Sequence, residues 1–104
     1  MKVYAVDFDE TLYVDKQPNI PLFKFLINAQ LKGDKVILNT CRTDKELKNA
    51  IMYCKIYGLY FDAVNENLPE QIASLKGSEP RKLLADVFID DKNVRPDFTL
   101  YEDL

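Results

Sequence analysis

Two short apolar runs in this chain each stop at a group of carboxylates. Lys2-Val3-Tyr4-Ala5-Val6 leads into Asp7-Phe8-Asp9-Glu10-Thr11, and Asp86-Val87-Phe88-Ile89 leads into Asp90-Asp91. Both runs read as strands, the first as a buried one. Carboxylates concentrated at strand ends repel one another unless something cationic sits among them. A hard divalent cation such as Mg²⁺ resolves this most simply, because it takes oxygen ligands and needs no imidazole. The chain contains no His. The first expectation is therefore a magnesium-dependent phosphoryl-transfer site with a carboxylate available as nucleophile.

A chain of 104 residues suits one domain with one core. The formal net charge of −3 gives no electrostatic reason to expect nucleic acid as a partner. A small phosphorylated substrate is compatible with it, since a metal supplies positive potential locally. Met1-Lys2-Val3-Tyr4 enters the first strand at once, and no apolar run is long enough to span a bilayer, so no membrane association and a cytoplasmic location are expected. Cys41 and Cys54 lack a metal-ligand pattern and are too few for a disulfide framework.

Along the chain, 2–6 reads as a strand and 12–20 as a loop, with Asp15, Pro18 and Asn19 as turn formers. A helix follows, with Pro21 in its first turn and Gly33 just past its end. Lys35 to Asn39 reads as a second strand. Thr43 and Glu46 have the spacing of a capping box, in which the Thr oxygen accepts one backbone N–H while the Glu reaches back to another. Leu47, Ala50, Ile51, Cys54 and Tyr57 then repeat at helical spacing, and Gly58 stops the helix. Leu59–Val64 reads as a third strand, Glu70–Leu75 and Pro80–Leu84 as short helical pieces, Asp86–Ile89 as a fourth strand and Phe98–Tyr101 as a fifth. Strands alternating with helices in this way predict a parallel α/β sheet, in which ligands bind beyond the carboxyl ends of the strands. Asp7, Asp9, Thr40, Asp90 and Asp91 all fall at predicted strand ends.

Each of these residues has a chemistry suited to that edge. Asp7 and Asp9 are two apart, a spacing that aims both toward one side. One can attack phosphorus while the other moves a proton to the leaving group and later from water. Thr11 can brace the turn by hydrogen bonding. Thr40, with the free N–H groups of a helix start beside it, suits phosphate oxygens, and Arg42 adds a planar cation. Cys41 lies between them. Lys82 can offset carboxylate and phosphate charge, with Arg81 and Lys76 as competitors for that role.

Asp7-Phe8-Asp9-Glu10-Thr11, then Thr40, then Lys82, then Asp90-Asp91, in this order, resembles the haloacid dehalogenase-like hydrolase superfamily, and in particular its small members without a cap domain. The resemblance spans residues 3 to 91. It implies a three-layer, Rossmann-like α/β core with a mostly parallel sheet of about five strands in the order 5-4-1-2-3. It implies a phosphatase in which Asp7 is the nucleophile and a Mg²⁺ ligand. Asp9 is then the general acid/base, with its backbone carbonyl on the metal. Thr40 binds the transferring phosphoryl group and Lys82 steadies the charge. Asp90 completes the metal site, and Asp91 assists through water. Thr11, Cys41 and Arg42 fall on the substrate side. Glu10 stands where many members carry Gly. The segments from about Leu12 to Ile20 and from Asn65 to Arg81 are too short for a folded cap. An open site is expected, its mouth formed by 12–20 and 65–81, including Tyr13, Lys16 and Asn67. A phosphorylated macromolecule, or a second subunit covering the site in a homodimer, would supply the missing surface.

Competing readings are a receiver-like phosphoacceptor domain, a Cys-based phosphatase and a non-catalytic Mg²⁺ or phosphate-binding module of the same fold. Chain order disfavours the receiver, whose acceptor Asp ends a central strand where this chain has Asn39. Cys41 and Arg42 are adjacent, whereas a Cys-based phosphatase needs them to flank a loop. The binding module is separated from the enzyme only by turnover.

Overall fold

A computed structural model describes residues 1–74 and 83–91 of the chain. Strand β1 (Val3–Val6), entirely buried, occupies the middle of the sheet. It pairs in parallel with β4 (Lys35–Leu38), Val6 opposite Leu38, and with β6 (Val87–Ile89), Val6 opposite Ile89. A two-residue strand β5 (Ala63–Val64) extends the sheet beyond β4, giving the order β5-β4-β1-β6. The described sheet thus has four strands where about five were expected; the strand expected over Phe98–Tyr101 lies outside the described residues.

Side chains alternate across this sheet with the period of two that a pleated strand imposes. Tyr4, Val6, Val36 and Leu38 belong to the larger core, together with Leu22, Phe23 and Leu26 of helix α1 (Ile20–Leu31) and Ala50 and Cys54 of helix α2 (Asp44–Ile56). Val3, Ile37 and Ala63 pack instead with Leu68, just ahead of helix α3 (Pro69–Ser74), and with Leu83 and Ala85. Helix α1 starts where Asn19 Oδ1 accepts the Leu22 N–H at 3.4 Å and Pro21 sits in the first turn. It ends ahead of Gly33, which takes φ 100°, a conformation open to glycine without a Cβ clash. Among the described residues no helix is long and apolar enough to cross a membrane.

Four expectations are corrected. Residues 12–20 are not plain loop: Tyr13–Val14 (β2) and Gln17–Pro18 (β3) form an antiparallel hairpin. Its connecting residues Asp15 and Lys16 both take positive φ, 51° and 62°, as a two-residue hairpin turn of the I′ kind requires. The third strand is only Ala63–Val64; just ahead of it the Asp62 N–H donates to the Val36 carbonyl at 2.8 Å, while the Val36 N–H goes to the Asp62 carboxylate, also at 2.8 Å, rather than to a backbone carbonyl. Leu83 and Leu84 are not helical; the Leu84 N–H donates to Asn67 Oδ1 at 2.5 Å and its carbonyl accepts from Gln71 Nε2 at 2.5 Å. Thr43 does precede the first residue of α2, but its side chain makes no capping bond. Glu46 turns to the Arg42 guanidinium, 3.7 Å away, rather than back to the Thr43 amide.

Candidate active site

The strand register decides which side chains meet. Val6, Ile89 and Leu38 are level across the sheet, so Asp7 and Asp90 leave neighbouring strands side by side, with Asn39 and Thr40 on the other flank. The ladder continues one step past the strands: the Asp7 N–H donates to the Ile89 carbonyl at 3.0 Å and the Asn39 N–H to the Val6 carbonyl at 2.8 Å. Asp7 is half-buried, and its Oδ1 accepts the Phe8 N–H at 2.7 Å. Burial pushes the Asp7 carboxyl above its ordinary pKa. The Phe8 hydrogen bond opposes this, while the like charges of Asp9, Asp90 and Asp91 add to it.

Beyond Asp7 the chain folds into a tight turn around the Phe8 carbonyl, which accepts the N–H groups of Leu12 and Tyr13, both at 3.0 Å, and of Thr11 at 3.3 Å. Glu10 takes φ 60° here, in the left-handed region where Gly sits freely and an L side chain is strained. Asp9 emerges from this turn half-exposed and meets Arg42. The guanidinium grips it with a fork, Nε to Oδ2 at 2.9 Å and Nη2 to Oδ1 at 2.8 Å. These charge-assisted bonds hold the Asp9 carboxyl below its ordinary pKa and raise that of Arg42. The guanidinium lies over the buried Phe8 ring, 4.7 Å from its centroid, and Phe8 in turn stacks on Tyr13.

Thr11 is fully buried, and its hydroxyl has no hydrogen-bond partner among the described residues. The turn is braced through its backbone instead, since the Thr11 carbonyl accepts from Asn19 Nδ2 at 2.9 Å. Thr40 stands at the end of β4 with both polar groups engaged. Its N–H donates to Asn65 Oδ1 at 2.8 Å, and its hydroxyl accepts the Arg42 N–H at 3.2 Å. The Thr40 and Arg42 amides, just ahead of α2, therefore already have partners. Cys41 is exposed, and with Asp9, Arg42, Thr43 and Glu46 it lines an open hollow of about 440 Å³.

Asp9, Asp90 and Asp91 are thus each near enough for their charge to act on Asp7, and Arg42 is paired with Asp9. Lys82, with its competitors Arg81 and Lys76, lies outside the described residues. Asn67, expected at the mouth of the site, is instead buried and anchors Leu84. Among the described residues no three His, Cys, Asp or Glu side chains converge as a metal-holding group. The donor chemistry at the strand ends nevertheless suits a hard cation: Asp7 and Asp90 offer carboxylates on adjoining strands, and the charge repulsion on Asp7 is of the kind a cation removes. The Asp9 carboxylate is taken by Arg42, which leaves its backbone carbonyl as the group it could offer a metal.

Two residues were missed by sequence reasoning. Asn65, directly after β5, takes φ 53° and carries the brace on Thr40. An Asn just past a strand is a signal for that conformation. Phe8, given no role in the sequence reading, is the seat of the Arg42 guanidinium.

No protein-family model and no curated protein matches the chain. Among solved structures it is similar to the conserved protein coded by a locus from Bacteroides thetaiotaomicron, with 34% sequence identity over 97% of this chain and 87% of that chain and a TM-score of 0.81. The chain belongs to that protein's family. The mixed α/β architecture with its parallel central sheet is therefore the family's fold.

Proposed function

We propose that this protein is a Mg²⁺-dependent phosphate-monoester hydrolase of the haloacid dehalogenase-like kind, acting through a phosphorylated Asp7. The observation that carries this reading is the side-by-side exit of Asp7 and Asp90 from adjacent strands, with Thr40 on the other flank. Asp7 and Asp90, with the Asp9 carbonyl, would hold the metal, and Asp91 would assist through water. Bound there, the cation would neutralise charge on the phosphoryl oxygens. A carboxylate oxygen of Asp7 attacks phosphorus and the bond from phosphorus to the leaving oxygen breaks. That oxygen takes its proton from Asp9. Water then attacks the same phosphorus, gives a proton to Asp9, and displaces the Asp7 carboxylate to release inorganic phosphate. Thr40 orients the phosphoryl group, and Lys82 is proposed as the balancing cation. The segment 12–20 holds only the small hairpin, which supports a site without a cap and a broad tolerance of leaving groups.

A panel of phosphorylated metabolites, assayed with Mg²⁺ and with a chelator, tests the reading. Hydrolysis is expected with Mg²⁺ alone and is lost in Asp7→Asn. Hydrolysis that persists in a clean Asp7→Asn preparation would remove Asp7 from the role. One observation favours the non-catalytic module instead: Asp9, the acid of the first step, is held ionised by Arg42. Absence of turnover across the panel, with phosphate still bound, would establish that reading.

A further inference from the structure

The forked edge of the Arg42 guanidinium is already occupied in the arrangement described. Nε and Nη2 are spent on the two oxygens of Asp9, and Nη1 faces the Glu46 carbonyl at 3.4 Å and the Glu46 carboxylate at 3.7 Å. A planar guanidinium grips a carboxylate or a phosphate with the same fork, so it serves one oxyanion at a time with that edge. Asp9 is meanwhile in a poor position for chemistry. A bidentate fork occupies the inward lone pairs of both oxygens, where a carboxyl proton would otherwise sit. The hollow beside this pair is open and is lined by Arg42, Asp9 and Cys41. The Arg42 backbone is fixed by its N–H to the Thr40 hydroxyl, whereas its head rests on a flat ring, the Phe8 face. A cation on an aromatic face can turn without giving up that contact. Backbone anchor, pivoting head and shared fork together describe an exchange.

Building on the hydrolase reading above, we propose that Arg42 serves Asp9 and the substrate phosphate in turn. In the empty site it closes on Asp9. An arriving phosphoryl dianion draws the fork to itself, and Asp9 is released to face the leaving group. The arrangement restrains the acid/base until a phosphate is in place, and it makes Arg42 a phosphate contact acquired only on binding.

The exchange predicts a competition that a fixed structural pair would not produce. Inorganic phosphate is the probe, with Mg²⁺ at constant concentration, and its affinity is measured by calorimetry for wild type, Asp9→Asn, Arg42→Met and the double variant. Met keeps an unbranched stem without the charge, Asn keeps the shape of Asp, and circular dichroism checks that each variant folds. Removing the competitor is expected to tighten phosphate binding in Asp9→Asn by about tenfold, the scale of one good charge-assisted pair. Asp9→Asn also removes a negative charge, so the Arg42→Met background is the control: there the same change should give about twofold or less, a residual Coulomb effect near the surface. An equal gain in both backgrounds, or no gain in either, overturns the exchange and leaves Arg42 as a fixed partner of Asp9. Such a result beside Asp7-dependent hydrolysis would leave the hydrolase reading standing. No phosphate binding by any of the four proteins would remove both.

Discussion

The Asn65 side chain accepts the Thr40 backbone N–H at 2.8 Å, joining the ends of two neighbouring strands exactly one residue outside the sheet on β5 and two outside on β4. Asn65 holds left-handed backbone to do so, with φ 53°. It acts on Thr40, the proposed phosphate contact, without belonging to any sequence motif.

Replacing Asn65 with Ala removes both the acceptor and the residue type that tolerates this φ. A loss of about 1–3 kcal/mol is expected in urea unfolding, from one lost hydrogen bond and one strained residue. Asn65→Gly keeps the backbone free and loses only the acceptor, so it should lose less. Asn65→Asp, which restores the acceptor, should remain near wild type. Equal stability of the Ala and Gly variants would show that φ contributes nothing here.

Asp7 supplies a pH test of the proposed metal site. Its folded pKa is raised, chiefly by burial, so in the relevant window the native state binds more proton than the unfolded chain. Stability in the absence of metal therefore falls as pH rises from below the ordinary carboxyl value of 3.8 through the raised value, and the penalty is complete above it. With a chelator at neutral pH, Asp7→Asn is expected to unfold at a higher temperature than wild type, and the gap should close in acid. Adding Mg²⁺ should raise the wild-type midpoint and leave Asp7→Asn unmoved, because the ion stabilises only the charged carboxylate. A variant no more stable than wild type at any pH would mean that burial costs Asp7 nothing.

Asp9 behaves in the opposite sense. Its pKa is lowered, first by the Arg42 hydrogen bonds, so the contribution of the pair is present above 3.8, the ordinary value, and is lost as pH falls through the depressed one. The Asp9 side chain is half-exposed, at 50%, which confines the gain to about 1 kcal/mol or less. Wild type and Arg42→Met should differ by that amount in urea midpoint at neutral pH and converge in strong acid. High salt should shrink the difference as well.

The hairpin turn gives a prediction independent of function. Lys16 sits at φ 62° in the second central position of a two-residue turn, the place where such turns favour Gly. Lys16→Gly relieves that strain and adds unfolded-chain entropy, and the balance is expected to stabilise the protein by about 0.5 kcal/mol. A lower thermal midpoint for Lys16→Gly would show that the Lys16 side chain contributes contacts outweighing its backbone strain.

How far the sequence speaks for itself differs between the elements. The apolar runs Val3–Val6 and Val87–Ile89 and the carboxylates after them were legible because burial and strand period are local properties, and register then brings Asp7 beside Asp90. Helix α1 was bounded correctly by Pro21 and Gly33. The hairpin was not, because its turn uses Asp15-Lys16, a pair without the glycine that usually betrays it. The capping box failed for a tertiary reason: Glu46 has a guanidinium within reach and takes it in preference to a backbone amide. The Thr40 amide is taken by Asn65, which lies in a different part of the chain. Local pattern found which residues gather at the edge, and it missed how they bond to one another there. Lys82 and the strand expected over Phe98–Tyr101 fall outside the described residues.

The placement of β1 between β4 and β6 has a consequence for the order in which the molecule comes together. The Val3 N–H donates to Asp86 Oδ2 at 2.7 Å across 83 residues of chain, and Asp7 meets the Ile89 carbonyl in the same way. Contacts of such sequence separation form slowly, since the loop between them must close first. β1, β4 and α1 can associate while a ribosome is still producing the remainder, but the neighbour that brings Asp90 emerges after all three. Asp9 is beside Asp7 from the start, but Asp90 and Asp91 reach Asp7 only when β6 docks, so their share of the repulsion at this edge is added after β1 and β4 can already have paired.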